Sequence, residues 1–360
     1  MKKIIMCICL TILLFNNTLV YAKDTARSTV VIDIGSGRIL YSKNKDEKRL
    51  IASITKIMTA VIAIENKNLD DIVTVGEEVL PMYGSNIYIK VGEQLTLRDL
   101  LYGLMLRSGN DAAVAIATYV SGSEVKFVEL MNKKAKEIGM KNTTFMNCHG
   151  LDEETQNYST AYDMALLSKY ANRLMEYVEI SGTKKYKLNT NYNSYLWINR
   201  NKLLSNYRYA TGGKTGYTPK AGRTLVTTAN KNNLNLSIVT LDDNDMYNTH
   251  ESLYDYYFSK YENVLLIDKD NIEFDNSKYS NLYIKNDFYY PLTKEEQDSV
   301  KIIVDLYDID VYSNNDKVGE IYVLLNNEEI YRDNIYIKKY NQYKPNLFDK
   351  IINFFSSIFD

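Results

Sequence analysis

Apolar and polar positions divide this chain into regions of different period. A β-branched run from Thr29 to Ile34, a Gly35-Ser36-Gly37 turn and a second short run from Arg38 to Tyr41 together predict a hairpin. The charged stretch from Lys43 to Arg49 reads as a loop that delivers the chain to Ser53, where a helix is expected to begin. Through Ile64 that helix is apolar on nearly all sides, which suits the centre of a domain better than its surface. From about Glu65 to Tyr207 the signals are mainly helical. Apolar residues recur at helical spacing from Leu95 to Leu106, and Ala112 to Val120 continues as a small-residue helix. Glu124 to Ile138 is amphipathic, and Tyr158 to Asp163 leads into a further helix that Ser159 or Thr160 can cap. Strand signals return in 212–217, in Thr224 to Ala229 and in Leu234 to Leu241, the last two joined around Asn230 to Asn233. Strands at both ends with helices between them predict one sheet closed by its first and last segments. The class is therefore α+β rather than a doubly wound α/β fold.

Beyond about Asn263 the texture changes again. Short β-rich runs at Val264 to Ile267, Leu282 to Ile284, Val300 to Leu306 and Glu320 to Leu325 are spaced by Asn, Asp and Lys, so a second, all-β domain is expected over 264–343. Asn326-Asn327 is a tight-turn signal within it. The last stretch, 344–360, has apolar residues within an arc of roughly 160° when placed on a helix, with Pro345 and Asn346 as a start signal. Four phenylalanines lie in that arc. The segment is too short to span a bilayer but long enough to lie in its interface, so it predicts a membrane-surface anchor; docking on the β domain is the alternative.

The other end of the chain suggests a destination. Lys2 and Lys3 form a basic start, Ile4 to Phe15 an apolar run, and Val20-Tyr21-Ala22 a small-residue cleavage site, which together predict a signal peptide over 1–22 and an exported protein. The first domain then runs over 23–263. Cys7 and Cys9 would leave with the signal, so Cys148 alone remains and no intramolecular disulfide can form. With 43 basic and 45 acidic side chains interspersed along the 360 residues, the net charge is -2 and no nucleic-acid footprint is visible. The 32 tyrosines carry no functional weight.

Three short motifs carry the candidate chemistry. Ser53 and Lys56 stand three residues apart at the head of the apolar helix, so the ammonium can reach the hydroxyl, and burial in the run Ile57 to Ile64 would lower the lysine's pKa enough to make it a base. Ser108-Gly109-Asn110 interrupts two helices, and Lys214-Thr215-Gly216 begins the returning sheet. Each alone has an ordinary reading: an N-cap with a solvated charge, a helix break, a strand. With only His149 and His250 and no Gly-x-Ser-x-Gly, a serine–histidine–aspartate hydrolase has little support. One mature cysteine and no His-x-x-x-His pair argue against a catalytic metal, and no cofactor is called for. His149 reads as structural, and Arg200 as either a carboxylate fork or half of a surface ion pair.

In this order the three motifs make the chain resemble the low-molecular-weight penicillin-binding proteins, the serine-type D-alanyl-D-alanine carboxypeptidases. The resemblance runs from Thr29 to Tyr261 and includes Asn147-x-His149-Gly150-Leu151, Asn199-Arg200-Asn201-x-Leu203-Leu204 and Lys214-Thr215-Gly216-Tyr217-Thr218. It implies a β-lactamase/transpeptidase-like catalytic domain, peptidoglycan stem peptides ending in D-Ala-D-Ala as substrates, and β-lactam antibiotics as covalent ligands. On the matching positions it implies Ser53 as nucleophile, Lys56 as base and Ser108 as proton relay. Asn110, Lys214, Thr215, Gly216 and Tyr217 would bind substrate, and the backbone N–H groups of Ser53 and Tyr217 would form the oxyanion hole. Two rival readings share the motifs. A class A-like β-lactamase would need a water-activating carboxylate, but Glu153 and Glu154 lack the Glu-x-x-Leu-Asn setting; the other rival is a non-catalytic penicillin- or peptidoglycan-binding module.

Overall fold

The structure, a computed structural model, describes residues 22–271, 274, 281–308 and 313–338. The apolar run of the expected signal peptide and the expected C-terminal helix lie outside the described residues. The chain divides into two compact units, Met1–Glu262 and Asn263–Asp360.

The first unit is built on an antiparallel sheet of β1 (Ser28–Asp33), β2 (Ile39–Lys43), β3 (Ala210–Thr218), β4 (Gly222–Lys231) and β5 (Leu234–Leu241), in the order β2-β1-β5-β4-β3. Its first two strands and its last three are 166 residues apart in sequence at the β2–β3 gap, which holds the helical part. Every residue of β1 is buried, because both faces of the sheet are covered. Val30 and Ile32 join the larger apolar core, whereas Val31, one residue out of phase, joins the cluster of Leu236, Ile238 and Tyr254 on the other face. Asn232 and Asn233, both at positive φ, turn β4 into β5.

Helix α1 (Lys56–Asn66) runs through the larger core with Lys56 through Ala63 all buried. Around it pack α2 (Asn110–Ser121), α3 (Glu124–Ile138) and α4 (Ala161–Ala171), the last capped by Thr160. On the opposite face of the sheet α5 (Met246–Lys260) is tied down through His250, whose Nδ1 and Nε2 lie 2.6 and 3.0 Å from the hydroxyls of Thr227 and Thr240. The Tyr254 hydroxyl completes that network at 2.9 Å from Thr227.

The helical region also holds strands that its periodicity does not announce. Lys185–Asn189 and Ser194–Ile198 form a hairpin that turns Tyr186, Leu188, Tyr195 and Trp197 inward, with Lys185, Lys187 and Asn189 outward on the first strand and Ser194, Leu196 and Ile198 outward on the second. Lysines dilute the first short run, and the exposed Leu196 and Ile198 remove the polar half of the alternation from the second, which hides that period of two. Likewise the segment expected as one helix over 95–106 is a strand, Gln94–Thr96, then a helix, Leu97–Tyr102, opened by a Thr96–Asp99 capping box, then a π-turn over Gly103–Arg107.

The second unit is all-β among its described residues apart from one short helical turn. Leu282–Tyr283, β8 (Glu328–Ile337), β7 (Lys317–Leu325) and β6 (Val300–Leu306) form an antiparallel sheet in that spatial order, and Glu262–Ile267 pairs with Phe288–Leu292. Asn326 and Asn327, at φ 52° and 67°, make the turn between β7 and β8. Ile267, Ile284, Val318, Ile321, Val323, Ile335 and Ile337 are its buried core.

Candidate active site

The nucleophile turn is short and tightly held. Ala52 to Thr55 form one 3-10 turn that runs directly into α1, and Ala52 has a φ of 49°, a left-handed conformation rare for a residue with a Cβ. Gly150 packs so closely that a Cβ there would fall 2.1 Å from the Ala52 carbonyl oxygen and 3.0 Å from the Ser53 nitrogen. From the other side, a Cβ on Gly216 of β3 would fall 2.9 Å from the Ser53 nitrogen. Ser53 is thus clamped between the 147–151 loop and the edge strand of the sheet, and glycine is required at both contacts.

Lys56 is completely buried, and its Nζ has three partners. They are the Ser53 hydroxyl at 3.1 Å, the Asn110 Oδ1 at 2.7 Å and the His149 carbonyl at 2.5 Å. Two of these are pure acceptors. When Lys56 is neutral its two N–H bonds are taken by Asn110 and His149, which leaves the lone pair directed at the Ser53 hydroxyl. The geometry therefore orients a base on the serine proton, and each acceptor is fixed in turn. Asn110 Nδ2 donates to the Tyr83 carbonyl at 2.7 Å, and its backbone N–H to the Ser85 carbonyl at 2.7 Å. The 147–151 loop is held by Asn147, whose Oδ1 accepts from His149 and Gly150 N–H, and by Thr59, which donates to the Cys148 carbonyl at 2.6 Å.

Charge at the site is set by burial. Desolvation brings the Lys56 ammonium down to about 7; the Asp111 carboxylate opposes the shift and Arg200 adds to it. Lys214, also buried, is held well below its ordinary value by burial first, then by Lys56 and Arg200. His149 and His250 are each pushed to about 3 by burial, so both rings are neutral across the working range. Burial lifts the Asp111 carboxyl above its ordinary value, while backbone N–H groups of Ile87, Tyr88, Ile89 and Ala112 work the other way.

Of the eight residues singled out from sequence, Ser53, Lys56 and Asn110 are joined by direct hydrogen bonds, and Gly216 lies against Ser53. Ser108 is buried beside Asn110 at the end of the π-turn, held at φ 64°. Lys214 donates to the Thr215 carbonyl at 2.7 Å. No hydrogen bond links Ser108, Thr215 or Tyr217 to Ser53 or Lys56 among the described residues, and Tyr217 is exposed under the Arg223 guanidinium. Arg200 forms no ion pair among the described residues; its Nη1 donates to Ser85 Oγ at 2.7 Å. The Asn-x-His-Gly-Leu motif marked the 147–151 loop, but it did not reveal that the His149 backbone would hold Lys56. Nothing in the pattern singled out Tyr83 or Ser85, because each acts through its backbone carbonyl, which every residue has.

An α+β sheet-and-helix unit with a serine–lysine pair closed by an asparagine and a lysine-bearing edge strand defines an acyl-transfer fold of the penicillin-binding type. The chain belongs to the D-alanyl-D-alanine carboxypeptidase family, whose sequence model matches residues 17–245. The model of the penicillin-binding protein 5 C-terminal domain matches residues 261–341. The D-alanyl-D-alanine carboxypeptidase DacF of Bacillus subtilis (strain 168) is 39% identical over 246 residues, or 66% of this chain and 63% of that protein. DacC of Escherichia coli (strain K12) is 38% identical over 261 residues, 68% of this chain and 64% of that one. The matches thus span less than two thirds of the length of these relatives. Among solved structures, penicillin binding protein 5 from Haemophilus influenzae superposes with a TM-score of 0.73 at 29% identity, over 88% of this chain and 97% of that one.

Proposed function

We propose that this chain is a serine-type D-Ala-D-Ala carboxypeptidase that removes the terminal D-alanine from peptidoglycan stem pentapeptides through an acyl-enzyme on Ser53, and that penicillins acylate the same serine. The observation that carries this reading is the buried Lys56 amine with its lone pair aimed at Ser53. In the reaction, Lys56 takes the hydroxyl proton while Ser53 Oγ bonds to the carbonyl carbon of the terminal peptide bond. The oxygen that gains charge lies against the backbone N–H groups of Ser53 and Tyr217, a placement supported by the close approach of Gly216 to Ser53. Ser108 relays the proton held by Lys56 to the departing D-alanine nitrogen, the C–N bond breaks, and an ester and a neutral Lys56 remain. Water then attacks the ester with Lys56 again accepting the proton, which it returns to Ser53 Oγ as the ester C–O bond breaks, freeing the shortened peptide and the serine.

Substrate binding draws on the same charges. The terminal carboxylate pairs with Lys214 and Thr215, and its arrival favours the charged form of a lysine whose pKa burial holds well below its ordinary value. Asn110 offers its amide to the substrate backbone, and Gly216 leaves room for the peptide along the edge of β3. Release of D-alanine from a synthetic peptide ending in D-Ala-D-Ala, measured together with labelling by a fluorescent penicillin, tests the reading. Labelling that is rapidly reversed by hydrolysis of the drug, with no D-alanine released, would favour a β-lactamase instead. That rival is not favoured, since Glu153 and Glu154 are exposed on their loop and Glu153 engages the Tyr83 hydroxyl.

The cellular setting is part of the same proposal. Peptidoglycan lies outside the cytoplasm, which agrees with export directed by residues 1–22. The mature chain would consist of a catalytic domain over 23–263, a β domain over 264–343 and a segment over 344–360 that holds it on the outer face of the cytoplasmic membrane. Among the described residues no helix is long and apolar enough to cross a membrane.

A further inference from the structure

The four-stranded sheet of the β domain ends in two unlike edges. Leu282–Tyr283 at one edge is two residues long, whereas β6 at the other is seven, in unbroken register with β7 and without proline. Among the described residues β6 pairs on one side only. Edge strands of that length commonly carry a bulge, a proline or several charges that discourage pairing with another chain. The middle of β6 is apolar instead: Ile302, Ile303 and Val304 are 48%, 43% and 41% exposed.

Which backbone groups face outward follows from the pleat. At one end of β6 the Ser299 carbonyl accepts from the Asn326 N–H at 3.4 Å, and at the other the Tyr307 N–H donates to the Val318 carbonyl at 2.8 Å, so both residues turn towards β7. Alternation between them turns the N–H and C=O groups of Val300, Ile302, Val304 and Leu306 away from β7. The order of side chains along the strand is complementary to its own reverse. About Ile303, Ile302 mirrors Val304, Lys301 mirrors Asp305 and Val300 mirrors Leu306. A second β6 set antiparallel about a two-fold axis at Ile303 therefore exchanges N–H···O bonds between Ile302 and Val304 and between Val300 and Leu306, the residues whose backbone faces outward. At the intervening positions Ile303 meets its own copy, and each Lys301 meets an Asp305. Centring the pair on 302 or 304 would instead set Lys301 against Ile303 or Tyr307.

We propose that β6 is a docking edge for a second copy of this chain: two copies pair antiparallel through Val300–Leu306 and join their β-domain sheets into one, with the Lys301–Asp305 pairs fixing the register. Both charged groups are accessible to a partner. Lys301 donates to Asn327 Oδ1 at 3.0 Å on the exposed surface, and Asp305 forms no ion pair among the described residues. Ile302 and Val304 stand opposite the buried Val323 and Ile321 of β7, so their exposed side chains share the face of the domain's core. Pairing continues that apolar face from one copy to the next and covers it.

Sedimentation equilibrium of the full mature chain in density-matched non-ionic detergent should show a reversible dimer. Lys301→Asp and Asp305→Lys should each raise its dissociation constant about tenfold, because the two-fold axis turns one substitution into two like-charge pairs. The double variant Lys301→Asp/Asp305→Lys should restore the dimer by exchanging the partners, and cooperative thermal unfolding of every variant checks that the fold survives. Ile303→Cys, which meets its own copy at roughly 4.5 Å between Cα atoms, should give a disulfide-linked dimer on mild oxidation. Ile302→Cys should not, since its copy lies two residues further along, and the buried Cys148 offers no competing thiol. A chain that remains monomeric, a dimer indifferent to both charge reversals, or linkage through 302 as ready as through 303 would overturn the proposal. So would a dimer that forms only after truncation at Tyr343, because the edge would then be covered by the chain's own end.

Discussion

Titrating Lys56 is the perturbation whose size follows most directly from the geometry. An ordinary lysine, at 10.5, would be neutral in only about one molecule in three thousand at pH 7, whereas at about 7 half of the molecules carry the free amine. The rate of penicillin acylation should therefore rise with pH along a limb centred near 7, lose about tenfold for each unit below it, and level off above about pH 8. Neither histidine can produce that limb, because burial pushes both to about 3. Arg200 adds to the depression of Lys56, so Arg200→Gln should move the limb towards higher pH. The assay is the second-order rate constant for a fluorescent penicillin across pH 5.5 to 9, a range of about this width being set by the position of the limb. It should be repeated in the double variant His149→Gln/His250→Gln, which keeps the His149 carbonyl in place. A profile flat across that range, or an acid limb that disappears in the double-histidine variant, would refute a lysine base.

Gly216→Ala should cost about a hundredfold in acylation, since the new Cβ would fall 2.4 Å from Thr224 Oγ1 and 2.9 Å from the Ser53 nitrogen and force β3 away from the nucleophile turn; penicillin labelling with a thermal-unfolding control checks it. Stability should fall in acid. A histidine held neutral in the fold binds its proton only on unfolding, so each of His149 and His250 removes stability as pH drops below about 6.5, by roughly 2 kcal/mol at pH 5. Urea unfolding of the unaltered protein and of His250→Gln at pH 7.5 and pH 5 would show a smaller acid loss in the variant, and equal losses would contradict the assignment. Truncation after Tyr343 should release the mature protein from liposomes while penicillin acylation continues, and co-flotation as complete as that of the full mature chain would refute the anchor.

What the residue pattern disclosed, and what it did not, has a physical explanation. The buried central helix was legible because Ile57 to Ile64 offers no polar face, and the two Asn-Asn turns because adjacent residues at positive φ favour asparagine. That the first and last segments share one sheet was legible from strands at both ends of one domain, whereas the order within that sheet was not. The hairpin of Lys185–Asn189 and Ser194–Ile198 was not legible, since its inward residues are only two per strand. At the site Ser53 and Lys56 could be chosen by their chemistry and spacing, and Asn110 by the order of the three motifs. The carbonyls of Tyr83 and His149, which turn Lys56 from a buried cation into an oriented base, are set by tertiary packing and leave no mark in residue type. Gly150 had a mark, a glycine in a loop, but the reason for it, contact with the Ala52 carbonyl, exists only in the fold.

Intact-protein mass spectrometry after exposure to benzylpenicillin tests the acyl-serine most directly. The unaltered mature protein should gain the mass of one penicilloyl group, mapped by peptide digestion to the segment containing Ser53, and Ser53→Ala should gain none while its thermal unfolding remains cooperative. A penicilloyl adduct that persists in Ser53→Ala, or one that maps to Ser108 in the unaltered protein, would contradict Ser53 as the nucleophile.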